Sequence, residues 1–183
     1  RSLRIPFDPN TAGTENSFVA ILWAGRMVGA LLDEVMRLAA EPDFSLFDSR
    51  FTSIVVSMVN ISIQFGIVTE YTSFLAQEDA DLADYATMVM IAMAELYDRS
   101  ASRSGMGAVN QSINLNALRC QSVLNPDNRY LDRTMQETKV PNVQHVHDLT
   151  FYFQTDVWID ARLVAPGVEL SEDTPVYAIV YGS

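Results

Sequence analysis

Apolar residues at Phe18, Ile21, Leu22, Met27, Val28, Leu31, Leu32, Val35, Met36 and Leu38 follow the i, i+3, i+4 spacing of a helix with one buried face. Residues 17–40 predict a first helix roughly 35 Å long at 1.5 Å rise per residue. Thr14, Asn16 and Ser17 compete as its N-cap, and Pro42 ends it, because proline cannot continue a helix. A second stripe, Phe51, Ile54, Val55, Met58, Ile61 and Phe65, predicts a helix over residues 51–65, with Ser53, Ser57, Asn60 and Gln64 on its polar face. Gly66 fits the C′ position that closes it. Ile67 to Leu75 is rich in β-branched and aromatic residues and reads as a strand or extended segment.

The pattern continues less cleanly. The acidic run Glu78, Asp79, Asp81 and Asp84 leads into a third helix over residues 82–100, where carboxylates suit the positive end of the helix dipole. Met88, Met90 and Met93 read as core filler. Gly105 and Gly107 break that helix, and residues 108–121 predict a fourth. There Val109, Ile113, Leu115, Leu118 and Cys120 are the expected apolar positions, and Asn110, Asn114 and Asn116 mark the expected surface side. Residues 122–142 read as a loop laid over the helices by Tyr130, Leu131 and Met135. From residue 143 the period changes to two. Phe151, Tyr152 and Phe153, a polar turn at residues 154–156, and Val157, Trp158, Ile159 and Asp160 predict a β-hairpin. The fold class expected is α+β: a bundle of about four helices over residues 14–121, then a small antiparallel β unit over 143–183. Residues 1–13 read as a strand and turn belonging to a preceding domain, which makes the chain look like a piece of a longer protein.

Composition narrows the function classes. The chain has 183 residues, 49% of them hydrophobic, with a net charge of −11 and a pI near 4.4. That acidity argues against nucleic acid and anionic membrane surfaces, which need basic patches. No apolar run reaches the length of a membrane helix. The one cysteine, Cys120, allows no intrachain disulfide and no cysteine-based metal site, and reads as a small buried apolar residue.

Candidate chemistry is sparse. His145 and His147 are the two histidines, and alternation on a strand puts both on one face with Asp148 adjacent. They form a weak metal candidate that lacks further ligands. There is no nucleophile elbow, no Walker loop and no EF-hand loop. Adjacent carboxylates such as Asp33 and Glu34, or Glu172 and Asp173, diverge rather than form an acid–base pair. A catalytic role and a bound cofactor are therefore not expected, and protein partners are.

Two groups of residues carry a family resemblance. Leu22, Trp23 and Ala24 lie on the first helix, and Ile67, Val68, Thr69, Glu70, Tyr71, Thr72, Ser73, Phe74 and Leu75 follow the second. Together they resemble the region that follows the von Willebrand A domain in inter-α-trypsin inhibitor heavy-chain-like proteins, the VIT–VWA family in its bacterial form. Thr150, Phe151 and Tyr152 with Val157, Trp158, Ile159 and Asp160 resemble an element near the C-terminus of those proteins. Glu70 departs from the pattern, standing where the family usually has proline. The resemblance implies a non-catalytic structural or interaction module of an exported protein, placed in the periplasm, at the cell surface or outside the cell. Such a module would support adhesion or assembly; a scaffold subunit of a large complex is the runner-up, and a metal enzyme built on His145 and His147 the third reading. The D-x-S-x-S motif of the A domain is absent, so the resemblance places any divalent cation upstream of Arg1.

Overall fold

A computed structural model describes residue 16 and residues 18–101, 104–146 and 149–164. It is an α+β fold. Four helices, α1 (Phe18–Leu38), α2 (Ser49–Phe65), α3 (Tyr85–Ser100) and α4 (Gly105–Arg119), precede five short strands. Strands β1 (Tyr130–Leu131) and β2 (Glu137–Thr138) form a two-stranded ribbon. Strands β3 (Val143–Val146), β4 (Leu149–Gln154) and β5 (Val157–Asp160) form an antiparallel meander in that order. The strand expected at the opening of the chain and the stretch after residue 164 lie outside the described residues.

Helices α1 and α2 supply most of the core. Ala24, Val28, Leu32, Val35 and Leu38 of α1 meet Phe51, Val55, Met58, Val59 and Ile63 of α2, all of them buried. The α2 cap is Asp48, whose carboxylate accepts from Arg50 N at 2.8 Å. At the other end Gly66 adopts φ +60, and its N–H bonds the Ser62 carbonyl. A side chain there would also collide with Thr150 Cγ2 at 2.5 Å and Val143 Cγ1 at 2.8 Å, so this glycine lets the meander sit against the end of α2. Tyr152 on β4 fixes the same junction by donating its hydroxyl to the carbonyls of Ser62 and Ile63 at 3.0 and 2.9 Å.

Four expectations are corrected. Residues 67–75 are not a strand: they form a buried turn followed by a 3₁₀ segment, Ser73–Ala76. Thr69 N donates to Thr72 Oγ1 at 3.0 Å and Tyr71 N to Thr69 Oγ1 at 3.2 Å, so the two threonines capture backbone groups that a strand would have paired with a neighbour. The loop expected over residues 122–142 contains the β1–β2 ribbon, with Met135 at φ 64 in its turn. Cys120 is exposed at the C-cap of α4 rather than buried.

The fourth correction concerns α4 and is the largest. The helix is turned over in part: Leu115 and Leu118 pack against the core and Asn116 is exposed, as expected, but four other positions are exchanged. Asn110 and Asn114, expected outside, are 3% and 6% exposed, while Val109 and Ile113, expected inside, are 52% and 44% exposed. The reason is the neighbour. α4 faces the ribbon backbone, where Leu131 N donates to Asn114 Oδ1 at 2.9 Å and Asn114 Nδ2 donates to the Leu131 carbonyl at 2.8 Å. Asn110 Nδ2 donates to the same carbonyl at 3.0 Å. A buried backbone edge needs donors and acceptors, and carboxamides provide both. On its other flank α4 packs close to α1, where a Cβ on Gly29 would stand 3.1 Å from Leu118 Cβ.

Candidate functional site

The chemistry-bearing concavity lies beneath α4, where its inner face meets the start of α1, the turn after α2 and the segment before β1. It encloses about 250 Å³. Apolar walls come from Ile21, Ile67, Val68 and Leu118; polar groups come from Glu70, Asn114, Gln121, Asn125, Asn128 and Arg129.

Glu70 is the unusual member. Its side chain is buried, the residue being 3% exposed, and neither carboxyl oxygen has a hydrogen-bond partner among the described residues. Asn114 lies beside it, but the Asn114 Nδ2 is directed to the Leu131 carbonyl. Burial pushes the Glu70 carboxyl above the usual carboxylate range, against weaker pulls from Asn114 and from the Arg99 guanidinium. Asn128 is the second unusual group. Its Oδ1 accepts from Val68 N at 3.0 Å, which ties it to the turn, yet its buried Nδ2 has no partner. Unsatisfied buried polar atoms are few in native folds and call for a physical reason. Here two such side chains line one cavity.

His145 also lines the cavity, with Nδ1 3.3 Å from Thr150 Oγ1. Burial lowers its pKa, which favours the neutral imidazole. Its candidate co-ligands His147 and Asp148 lie outside the described residues, so their geometry with His145 is not described. Among the described residues no group of three His, Cys, Asp or Glu could hold a metal ion.

The residues that carry the family resemblance sit in three places. Ala24 is buried, Leu22 half-buried, and Trp23 half-exposed with its ring edge-on to Phe65 at 5.9 Å. Val68, Thr69, Tyr71 and Thr72 are buried in the turn, and Ser73 is half-buried at its end. Trp158 packs on Phe153 across the β4–β5 pair at 5.2 Å, and the Asp160 carboxylate accepts from Arg162 N at 2.9 Å, capping the 3₁₀ turn Ala161–Leu163. These groups do not converge on one site. The turn alone reaches the cavity, through Val68, Thr69 and Glu70.

Sequence reasoning passed over Glu70 and Asn128 as site residues. A signal for Glu70 was present: a single carboxylate inside the run Ile67, Val68, Thr69, Tyr71. Asn128 had none, since a turn-rich segment gives asparagine an ordinary explanation. No described helix is long and apolar enough to cross a membrane. The chain matches no family model, no curated protein and no solved structure.

Proposed function

We propose that the chain is a non-catalytic interaction module of a larger, exported VIT–VWA-like protein, in which it supports adhesion or protein assembly. The observation that supports this reading is the outer face of α4. Met106, Val109 and Ile113 are 64%, 52% and 44% exposed, and the exposed Ala117 and Cys120 continue the same side of the helix. Their spacing of three, four, four and three residues makes one apolar stripe about four turns long. Single exposed apolar residues are ordinary on a surface, whereas a contiguous stripe marks a contact surface. The residue chemistry agrees: aliphatic and methionine side chains without charge suit a protein partner with a complementary apolar face.

The resemblance carried by Leu22, Trp23, Ala24 and the turn over residues 67–75 supports the wider VIT–VWA and extracytoplasmic parts of this reading. The runner-up, a scaffold subunit of a large complex, draws on the same stripe and differs in whether the covering surface belongs to the same polypeptide.

A photo-reactive phenylalanine analogue placed at position 113 in the full-length protein, in the cells that make it, tests the reading. Position 57 is the control, since Ser57 is exposed on the polar side of α2. Cross-links expected at position 113 and not at 57 run to a second domain of the same polypeptide for the module reading, or to another chain for the scaffold reading. Equal, background-level cross-linking at both positions would overturn both.

A further inference from the structure

We propose that Glu70 is a pH-sensitive latch: while its carboxyl is protonated the turn over residues 67–72 stays seated against α4, and loss of the proton frees the turn from α4 and from Asn128. Glu70 is 3% exposed, and both carboxyl oxygens are closed off from solvent and from the neighbouring concavity, with no hydrogen-bond partner among the described residues. The backbone around it is tied down. Thr69 and Thr72 bond within the turn, and Val68 N donates across the joint to Asn128 Oδ1 at 3.0 Å. A neutral carboxyl is far cheaper to bury in such a place than a carboxylate, which needs water, a cation or several donors.

The groups that face Glu70 do not supply these. α4 carries no charged residue from Gly105 to Leu118 and presents Asn114, whose Oδ1 and Nδ2 are both engaged by Leu131. From α3 comes Arg99, which pairs with Glu95 at 3.2 Å and lies over the Tyr71 ring at 5.2 Å. Arg129 borders the same concavity but is held by Asp127 and Glu137. His145 borders it too, and burial favours its neutral form. Tyr71 is kept protonated by burial and by the charge Glu70 would carry. Burial of Glu70 therefore outweighs the pulls of Asn114, its own N–H and Arg99, and pushes its carboxyl up.

The direction of the switch follows. With the turn free, Glu70 is an ordinary carboxyl. Below the ordinary carboxylate range both forms hold the proton and the latch is closed. As pH rises above that range the free form releases its proton first, so the closed form loses stability until Glu70 ionises in place. One proton raises the opening equilibrium about tenfold per pH unit across that window. His145 runs the other way, since a depressed histidine stabilises the fold increasingly as pH rises. Residues Ile67 to Glu70 form one wall of the concavity of about 250 Å³ beneath α4, so freeing the turn opens that space. The latch stands apart from the docking reading, because Glu70 meets the inner side of α4 and Val109 and Ile113 lie on the outer side.

Nuclear magnetic resonance on the full chain, labelled with carbon-13 and nitrogen-15, tests the latch from acid to mildly alkaline pH. The Glu70 Cδ resonance, identified by its absence in Glu70→Gln, is expected to titrate above the ordinary carboxylate range. Hydrogen-exchange protection is followed at the Val68 amide, whose bond crosses the joint, and at the Val55 amide in the core of α2. Val68 is expected to be the less protected of the two, and its protection to fall about tenfold per pH unit up to the Glu70 midpoint. In Glu70→Gln, which stays neutral and leaves His145 unchanged, that fall is expected to vanish. Glu70→Leu removes the same proton if the glutamine variant does not fold. A Glu70 midpoint within the ordinary range, equal protection at Val68 and Val55 at every pH, or an undiminished fall in a folded variant would overturn the proposal.

Discussion

Helices α2 and α4 are of similar length and lie on the same α1 helix, yet they turn opposite chemistry toward the protein. α2 buries Phe51, Val55, Met58, Val59 and Ile63 and turns Ser53, Ser57 and Gln64 to solvent. α4 buries Asn110 and Asn114 and turns Met106, Val109 and Ile113 to solvent. α2 is held by the removal of apolar surface from water, a force that ignores direction. α4 packs Leu115 and Leu118 on the core but adds directed hydrogen bonds from Asn110 and Asn114 to one stretch of ribbon backbone. The interior of a small fold therefore does not have to be apolar at every helix. What a helix turns inward is set by what it packs against.

The contrast is sharpest at the centre of α2. Phe51 is fully buried and meets the ring of Phe44 edge-on at 5.3 Å. Phe51→Ala is expected to cost about 3–5 kcal/mol, the sum of lost burial and a cavity that closes only in part. Urea unfolding with an unchanged m-value measures it. A cost below about 1 kcal/mol would mean that α2 does not carry the core.

The equivalent change on α4 tests the other mechanism. Asn114→Ala removes both the acceptor for Leu131 N and a donor to the Leu131 carbonyl. Asn110 still reaches that carbonyl, so the N–H is the group left without its partner. The expected cost is about 1–3 kcal/mol, the penalty for one unsatisfied buried polar group. Hydrogen exchange at the Leu131 amide is the specific readout. Protection there should fall in Asn114→Ala and persist in Phe51→Ala under conditions where both remain folded. Unchanged exchange at Leu131 would show that the ribbon is held by something other than the carboxamides.

This contrast also explains what could be read from the sequence. The α+β class, the four helices, the Gly66 cap and the β4–β5 hairpin each rest on local patterns: a 3.6 or 2 residue period, a glycine after the last turn, a polar pair between aromatic strands. Those patterns hold because the apolar stripes of α1 and α2, and Tyr152 of β4, do face the core. Reading α4 required knowing that residues 130–132 lie beside it, a contact about 20 residues away in the chain. Periodicity assigns the apolar side of a helix to the interior, and here part of what faces the helix is backbone. The turn over residues 67–75 failed for a related reason. β-branched composition predicts a strand only where a neighbouring strand exists, and Thr69 and Thr72 satisfy the local backbone instead. The cavity was legible only at Glu70, because Asn128 acquires its unpaired amide from tertiary placement.

The smallest expected effect on stability falls on the outer face of α4, and it separates the two roles of one helix. Ile113 is 44% exposed and belongs to the apolar stripe. Ile113→Ser removes little buried surface, so stability should change by within about 0.5 kcal/mol, the usual range for a surface position. Serine lowers helix propensity only slightly relative to isoleucine, which leaves α4 itself intact. Association should respond differently, since truncating a residue near the centre of an apolar contact commonly costs more than 1 kcal/mol of binding. The full-length protein carrying Ile113→Ser is therefore expected to melt with the parent and to lose the contact captured by cross-linking at the neighbouring position 109. A melting temperature that drops as far as that of Asn114→Ala would place Ile113 among the supports of the fold. The outer face of α4 would then cease to be a docking surface, and the difference between α2 and α4 would reduce to one of degree.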